Sequence, residues 1–192
     1  MIQNIIEYDI TLFLLINQYN TIFFDYFFLF ITQFGNGWVV APVLTFLVVK
    51  KIPRKLLPQI LFISVVGIVG SGMVNHRIKK LIDRPRPLLY FQIHNDQISP
   101  EDIHVVGKPW KYRSFPSGHT NTAFSAATLC AFLFGGWYYL TFILAALVGY
   151  SRIYMGVHFP LDVLFGAIDG ILMVVVIVGG YKWIFLNSKR SE

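Results

Sequence analysis

The chain is poor in charge and nearly devoid of cysteine. Only 14% of its residues are Asp, Glu, Lys or Arg, against roughly a quarter in an ordinary soluble domain. Cys130 is its one cysteine and lies in an apolar run, so an intrachain disulfide is excluded. Acidic residues are the scarcer sign, 10 against 16 basic, for a net charge of +6. In a chain this apolar the excess reads as positive-inside loops and contact with anionic lipid; nucleic acid is not expected as a partner. The first nine residues contain Glu7 and Asp9 but no Lys or Arg, so the basic start of a removable signal peptide is missing. No internal repeat or low-complexity tract is visible.

What the chain has instead is apolar length. Hydrophobic residues make up 55% and fall in long runs broken by short polar stretches. A span needs about 20 apolar residues, and backbone groups facing lipid must be satisfied within their own segment. The expected fold is therefore all-α: a polytopic membrane helical bundle of about five to six transmembrane helices, with 1–192 as a single integral membrane domain.

Residues 5–34 are apolar but interrupted by Asp9, Asn17, Gln18, Asn20 and Asp25, which reads as an interfacial or short helix followed by a second (1–34 as the N-terminal portion). Residues 34–38 are a turn signal. The run 39–49 then ends in Lys50, Lys51, Arg54 and Lys55, four cations in six residues, which should be cytoplasmic. From that anchor 56–78 crosses outward, 79–117 with its five prolines lies outside, and 118–134 crosses back. After a turn at 135–137, 138–149 returns outward and 150–161 is a second external segment. Residues 161–185 cross inward and end near Lys182, Lys189 and Arg190, again basic and cytoplasmic.

Three sequence-distant polar groups thereby reach the same membrane face at helix ends. Lys79, Arg86 and Arg152 suit a phosphate, arginine offering forked donors matched to its oxygens. Pro116-Ser117-Gly118-His119 opens a helix, where free N–H groups and the dipole favour an anion. There Gly118 permits close approach and the Ser117 hydroxyl adds a donor. His158 has Asp162 four residues on; a carboxylate on one ring nitrogen sets the tautomer and leaves the other to attack. His119 can protonate a leaving oxygen. Beside three cations a divalent ion would be redundant, so neither metal nor other cofactor is expected.

These residues resemble the type 2 phosphatidic acid phosphatase (PAP2) superfamily, and the flanking helices look like those of its small bacterial membrane lipid phosphatases. Lys79 to Arg86-Pro87 matches its first motif, Pro116-Ser117-Gly118-His119 its second, and Ser151-Arg152 through His158 to Asp162 its third. The first two lie in 79–117 and the third in 151–162. The resemblance implies a phosphohistidine on His158 stabilised by Asp162, with His119 protonating the leaving group and then activating water. Lys79, Arg86, Ser117, Gly118 and Arg152 would bind phosphate. It also implies metal independence and inhibition by vanadate. Soluble vanadium haloperoxidases share such a site, but the apolar spans argue against that relative.

The expected activity is hydrolysis of a lipid phosphate or diphosphate at a bacterial inner membrane, with the site facing the periplasm or exterior. Candidate substrates are undecaprenyl diphosphate, phosphatidylglycerophosphate, phosphatidic acid and the 1-phosphate of lipid A. Two alternatives share the residues: a lipid phosphotransferase with the same histidine chemistry, and a non-catalytic phospholipid-binding or transport protein, which would need the cations but not His119, His158 and Asp162. Oligomeric state is left open. Lys80 and Arg84 read as structural or headgroup contacts. His76, His94 and His104 lack metal-ligand spacing, though His94 and His104 with Lys108, Lys111 and Arg113 can shape headgroup choice. Asp169 is an intramembrane acid, beside a Gly166/Gly170 pair that suits helix packing.

Overall fold

A computed structural model describes residues 2–94 and 98–188, with side chains over 3–94 and 98–181. The basic cluster expected at Lys182, Lys189 and Arg190 lies outside those described residues and side chains. Among these described residues eight α-helices follow in order: α1 (Ile2–Asn17), α2 (Ile22–Ile31), α3 (Gly37–Lys51), α4 (Leu57–Ile82), α5 (Pro87–His94), α6 (Gly118–Phe134), α7 (Thr141–Tyr154) and α8 (Pro160–Ser188). Among the described residues there is no strand, as lipid-facing backbone requires.

Local chemistry sets the boundaries. The Thr21 side chain accepts from Phe24 N and caps α2, Asn36 accepts from Trp38 N and caps α3, and Ser117 caps α6. Helix α4 stops at Asp83, in the left-handed region at φ 43° and ψ 38°, which Asp tolerates better than most residues. Helix α6 stops at Gly135, whose φ of 61° and ψ of −160° suit glycine alone.

Two stretches, Arg54–His94 and Pro160–Tyr181, are long and apolar enough to cross a membrane. A third arises if Gln3–Asn17 and Ile22–Gly35, bent by 116°, count as one broken span or re-entrant pair. The segments 39–49, 118–134 and 138–149 are helical as expected, in α3, α6 and α7 of 15, 17 and 14 residues. At about 1.5 Å per residue these fall short of a bilayer core of about 30 Å on their own.

Helix α6 is the central post, packed most extensively on α8 and also on α7 and α4. Glycines make the closest approach possible. A Cβ on Gly166 would come 2.5 Å from the Ser117 carbonyl oxygen, and one on Gly170 would come 2.5 Å from that of Asn121. The small pair expected to serve packing thus seats α8 on the backbone of α6.

Two boundaries differ from expectation, both at the site. Helix α4 continues to Ile82 and α5 forms within the segment read as loop, so Lys79 sits in a last helical turn. Helix α7 runs through Ser151 and Arg152 to Tyr154. The Ser151 hydroxyl donates to Val148 O at 2.6 Å and Arg152 is buried, so this stretch has none of the solvent exposure that its polarity suggests.

Candidate active site

The three motifs meet where α4, α6, α7 and α8 end or begin. His158 lies in the short turn between α7 and α8 and is 2% exposed; Asp162, in the first turn of α8, is fully buried. Asp162 Oδ2 is 3.5 Å from His158 Nδ1 and accepts from Phe159 N at 2.8 Å. The Ser114 hydroxyl donates to the same carboxylate oxygen and lies 3.4 Å from His158 Nδ1. Both acceptors stand on the Nδ1 side, which assigns the ring proton to that nitrogen and leaves the Nε2 lone pair outward. Burial, followed by the charges of Arg86, Lys79, Arg152 and His119, holds the His158 imidazole well below its usual range. It is therefore neutral at physiological pH.

The cations are held by neutral oxygens, backbone carbonyls for Lys79 and Arg86 and a hydroxyl for Arg152, rather than by acids. Lys79 Nζ donates to Arg113 O at 2.9 Å and to Ser114 O at 3.4 Å, which leaves one of its three donors. Arg86 donates from Nε to Tyr112 O and from Nη1 to Val157 O, both at 3.1 Å. Arg152 donates from Nη1 to Thr32 Oγ1 at 2.7 Å, and its buried Nε has no protein partner. Buried guanidinium N–H groups are costly to leave unpaired; an anionic ligand is the natural acceptor.

The second motif is the start of α6. Ser117 N donates to Asp162 O at 2.8 Å, tying that start to the start of α8. The Ser117 Oγ, expected as a ligand donor, is a cap: it accepts from Thr120 Oγ1 at 2.8 Å and from Thr120 N at 3.5 Å. Its own O–H is still a donor. A side chain on Gly118 would grow toward Asn75 Oδ1 and Lys79 Cε, 3.7 and 3.8 Å from its Cβ. That space belongs to a cavity of about 300 Å³ lined by Lys79, His119, Gly118, Asn75, His76 and the 35–37 turn. His119 lies on the wall of this cavity.

Several residues given no catalytic or phosphate-binding role in the sequence complete this arrangement. Arg84 bridges Asp162 Oδ1 and Asp9 Oδ2, both at 2.7 Å, a structural role that its isolated charge left open. Thr32 and Ser114 carry no sequence signal of their own. Asp169 accepts from Asn121 Nδ2 at 2.8 Å, so that acid bonds to a neighbouring helix. His104, read as a headgroup contact, instead pairs with Asp25 at 2.7 Å and fastens the 98–117 segment to α2. His94 stacks on Tyr90 and lines no part of the cavity. Among the described residues no cluster of three His, Cys, Asp or Glu side chains could hold a metal ion.

Known proteins share this plan. A family model described as "PAP2 superfamily" matches residues 59–185. An undecaprenyl-diphosphatase of Sulfolobus acidocaldarius is 30% identical over 166 residues, covering 86% of this chain and 74% of that protein. The crystal structure of Aquifex aeolicus LpxE superposes with a TM-score of 0.70 at 34% identity, over 88% of this chain and 93% of that one. A transmembrane PAP2-type phosphatidylglycerolphosphate phosphatase from Bacillus subtilis gives 0.73 at 22% identity, over 94% of this chain and 88% of that one, a likeness of fold. With three motifs gathered at one end of a helical bundle, this chain belongs to the PAP2 superfamily and is an integral membrane phosphatase.

Proposed function

We propose that the protein removes phosphate from a membrane lipid through a covalent phosphohistidine on His158, at the outer face of a bacterial plasma membrane. The observation that carries this reading is the setting of His158: a neutral ring with Nδ1 committed to Asp162 and Ser114, faced by Lys79, Arg86 and Arg152. His158 Nε2 attacks phosphorus while the bond to the lipid oxygen breaks, and His119 gives that oxygen its proton. The three cations neutralise charge on the equatorial phosphoryl oxygens. Asp162 stabilises the imidazolium that forms. Water, relieved of a proton by His119, then cleaves the phosphorus–nitrogen bond and releases inorganic phosphate.

Orientation rests on the basic 50–55 segment, which lies between α3 and α4 at the bundle end opposite Lys79. The cavity beside His119 favours a polar leaving group. Asn75, His76 and Lys79 line it and no carboxylate does, which suits the second phosphate of a lipid diphosphate. Undecaprenyl diphosphate is accordingly the first substrate to try, ahead of phosphatidylglycerophosphate, phosphatidic acid and lipid A 1-phosphate.

The test is inorganic phosphate release from these four lipids in detergent with EDTA, by wild-type protein and His158→Ala. The reading expects release from at least one lipid, greatest for the diphosphate, and none from the variant. Equal release by His158→Ala would contradict it.

A further inference from the structure

Asp9 lies on α1, outside the segment 59–185 that the PAP2 family model matches. Its carboxylate is buried, with one hydrogen bond to each oxygen. Oδ2 accepts from Arg84 Nη2 and Oδ1 accepts from Leu161 N, at 2.7 and 2.8 Å. The other arm of the Arg84 guanidinium holds Asp162 Oδ1 at 2.7 Å, and its plane lies over the Phe159 ring, 4.3 Å from the centroid. Asp9, Arg84 and Asp162 form one continuous array that ends at His158. We propose that Asp9 is a positioning residue for the reaction, acting through Arg84 to set the charge and orientation of the carboxylate that holds His158.

Charge explains why an arginine–aspartate pair alone would not do. Arg84 and Asp162 together are neutral, whereas with Asp9 the array carries a net negative charge. The other groups facing His158 are Lys79 from α4, Arg86 at the start of α5, His119 from α6 and Arg152 from α7, alongside the neutral hydroxyl of Ser114. All of those that titrate are cationic or neutral. The array is therefore the negative counterweight for a ring that becomes an N-phosphoryl imidazolium. Stability alone gives no reason for it: a buried pair is often matched or bettered by apolar side chains, and a second buried carboxylate adds a further desolvation cost. Geometry adds to charge, because Asp9 also fixes Leu161 N in the first turn of α8, between His158 and Asp162.

This inference rests on His158 being the nucleophile. The test measures kcat, KM and the pH profile of kcat with undecaprenyl diphosphate in detergent, for wild type, His158→Ala, Asp9→Asn, Arg84→Lys and the double variant. Asp9→Asn keeps an acceptor for Leu161 N but removes the charge. Its kcat is expected to fall about tenfold, the equivalent of roughly one pKa unit, with KM within about twofold. The acid limb of kcat moves to lower pH, because a more positive surrounding makes His158 harder to protonate. Arg84→Lys keeps the charge but loses the fork, and lowers kcat in the same sense. The double variant loses less than the product of the two single losses, because one array is broken twice.

An inactive His158→Ala beside an Asp9→Asn enzyme with unchanged kcat and acid limb overturns the proposal. So does a double variant whose losses multiply in full, since Asp9 would then act independently of Arg84. A purely structural role lowers the yield of folded protein and leaves kcat per folded molecule and the acid limb in place, which also counts against it. If Asp9→Asn does not assemble, Arg84→Lys decides alone: wild-type kcat and an unmoved limb overturn the proposal. Activity surviving in His158→Ala is a separate result, which removes the nucleophile assignment itself.

Discussion

Arg152 Nη1 donates to Thr32 Oγ1 at 2.7 Å across a separation of 120 residues, and both side chains are buried. The turn between α2 and α3 thus steadies a cation of the proposed phosphate site. Replacing Thr32 by Val keeps the volume and removes the acceptor. A hydrogen bond to a charged group contributes about 1.5–3 kcal/mol, so KM for the lipid should rise about tenfold or more while the fold persists. Steady-state kinetics check this, and Thr32→Ser should restore most of the loss.

The same turn leans on the second motif. A Cβ at Gly35 would stand 2.7 Å from the His119 carbonyl oxygen and 2.9 Å from its Cβ. Gly35→Ala therefore pushes His119 or the start of α6 aside. Overpacking of this kind typically costs about 1–3 kcal/mol. A lower melting temperature in detergent together with reduced kcat is expected; normal kcat would show that His119 tolerates the displacement.

Ser114 touches both members of the His158–Asp162 pair. Ser114→Ala removes a donor from the Asp162 carboxylate and is expected to lower kcat by about tenfold or more, the scale of one hydrogen bond to a charged group, with KM little changed. Threonine keeps the hydroxyl and should rescue more activity than alanine. Kinetics of the two variants side by side decide the point.

The pH behaviour follows from the depressed His158 imidazole. The native ring stays neutral as pH falls through about 6.5, the ordinary histidine value, so protonation of this proposed nucleophile should not limit kcat until lower pH. In the unfolded chain the same ring takes a proton near 6.5. The stabilisation from this group is therefore complete above about 6.5 and declines as pH falls below it. Melting curves from pH 5 to 8 should show lower stability on the acid side, with His158→Ala losing part of that dependence.

Much of this was legible in the sequence because it is local. Helix ends are written in short patterns, so the turn at Gly135 and His158 with Asp162 one turn apart can be read directly, whereas Ser117, read as a ligand donor, serves as the cap of α6. The residues that escaped act at long range. Thr32, Asp9 and Ser114 reach partners 120, 75 and 48 positions away, and no periodicity encodes such pairings. Asp9 did offer one signal, an acid within an apolar helix, which is costly unless paired. The external segment misled for a similar reason: His104 looks free beside its lysines, but its partner Asp25 comes from α2. The polarity of Ser151-Arg152 suggested a loop, whereas the Ser151 hydroxyl is satisfied inside α7 and Arg152 Nη1 by Thr32.

The central claim is a phosphoryl group carried on His158. Brief incubation with undecaprenyl diphosphate radiolabelled in its terminal phosphate, denaturing quench and peptide mapping would locate it. The account predicts an alkali-stable, acid-labile label on the peptide containing His158, formed with EDTA present and missing in His158→Ala. Label on another residue, or full turnover by His158→Ala, would contradict it.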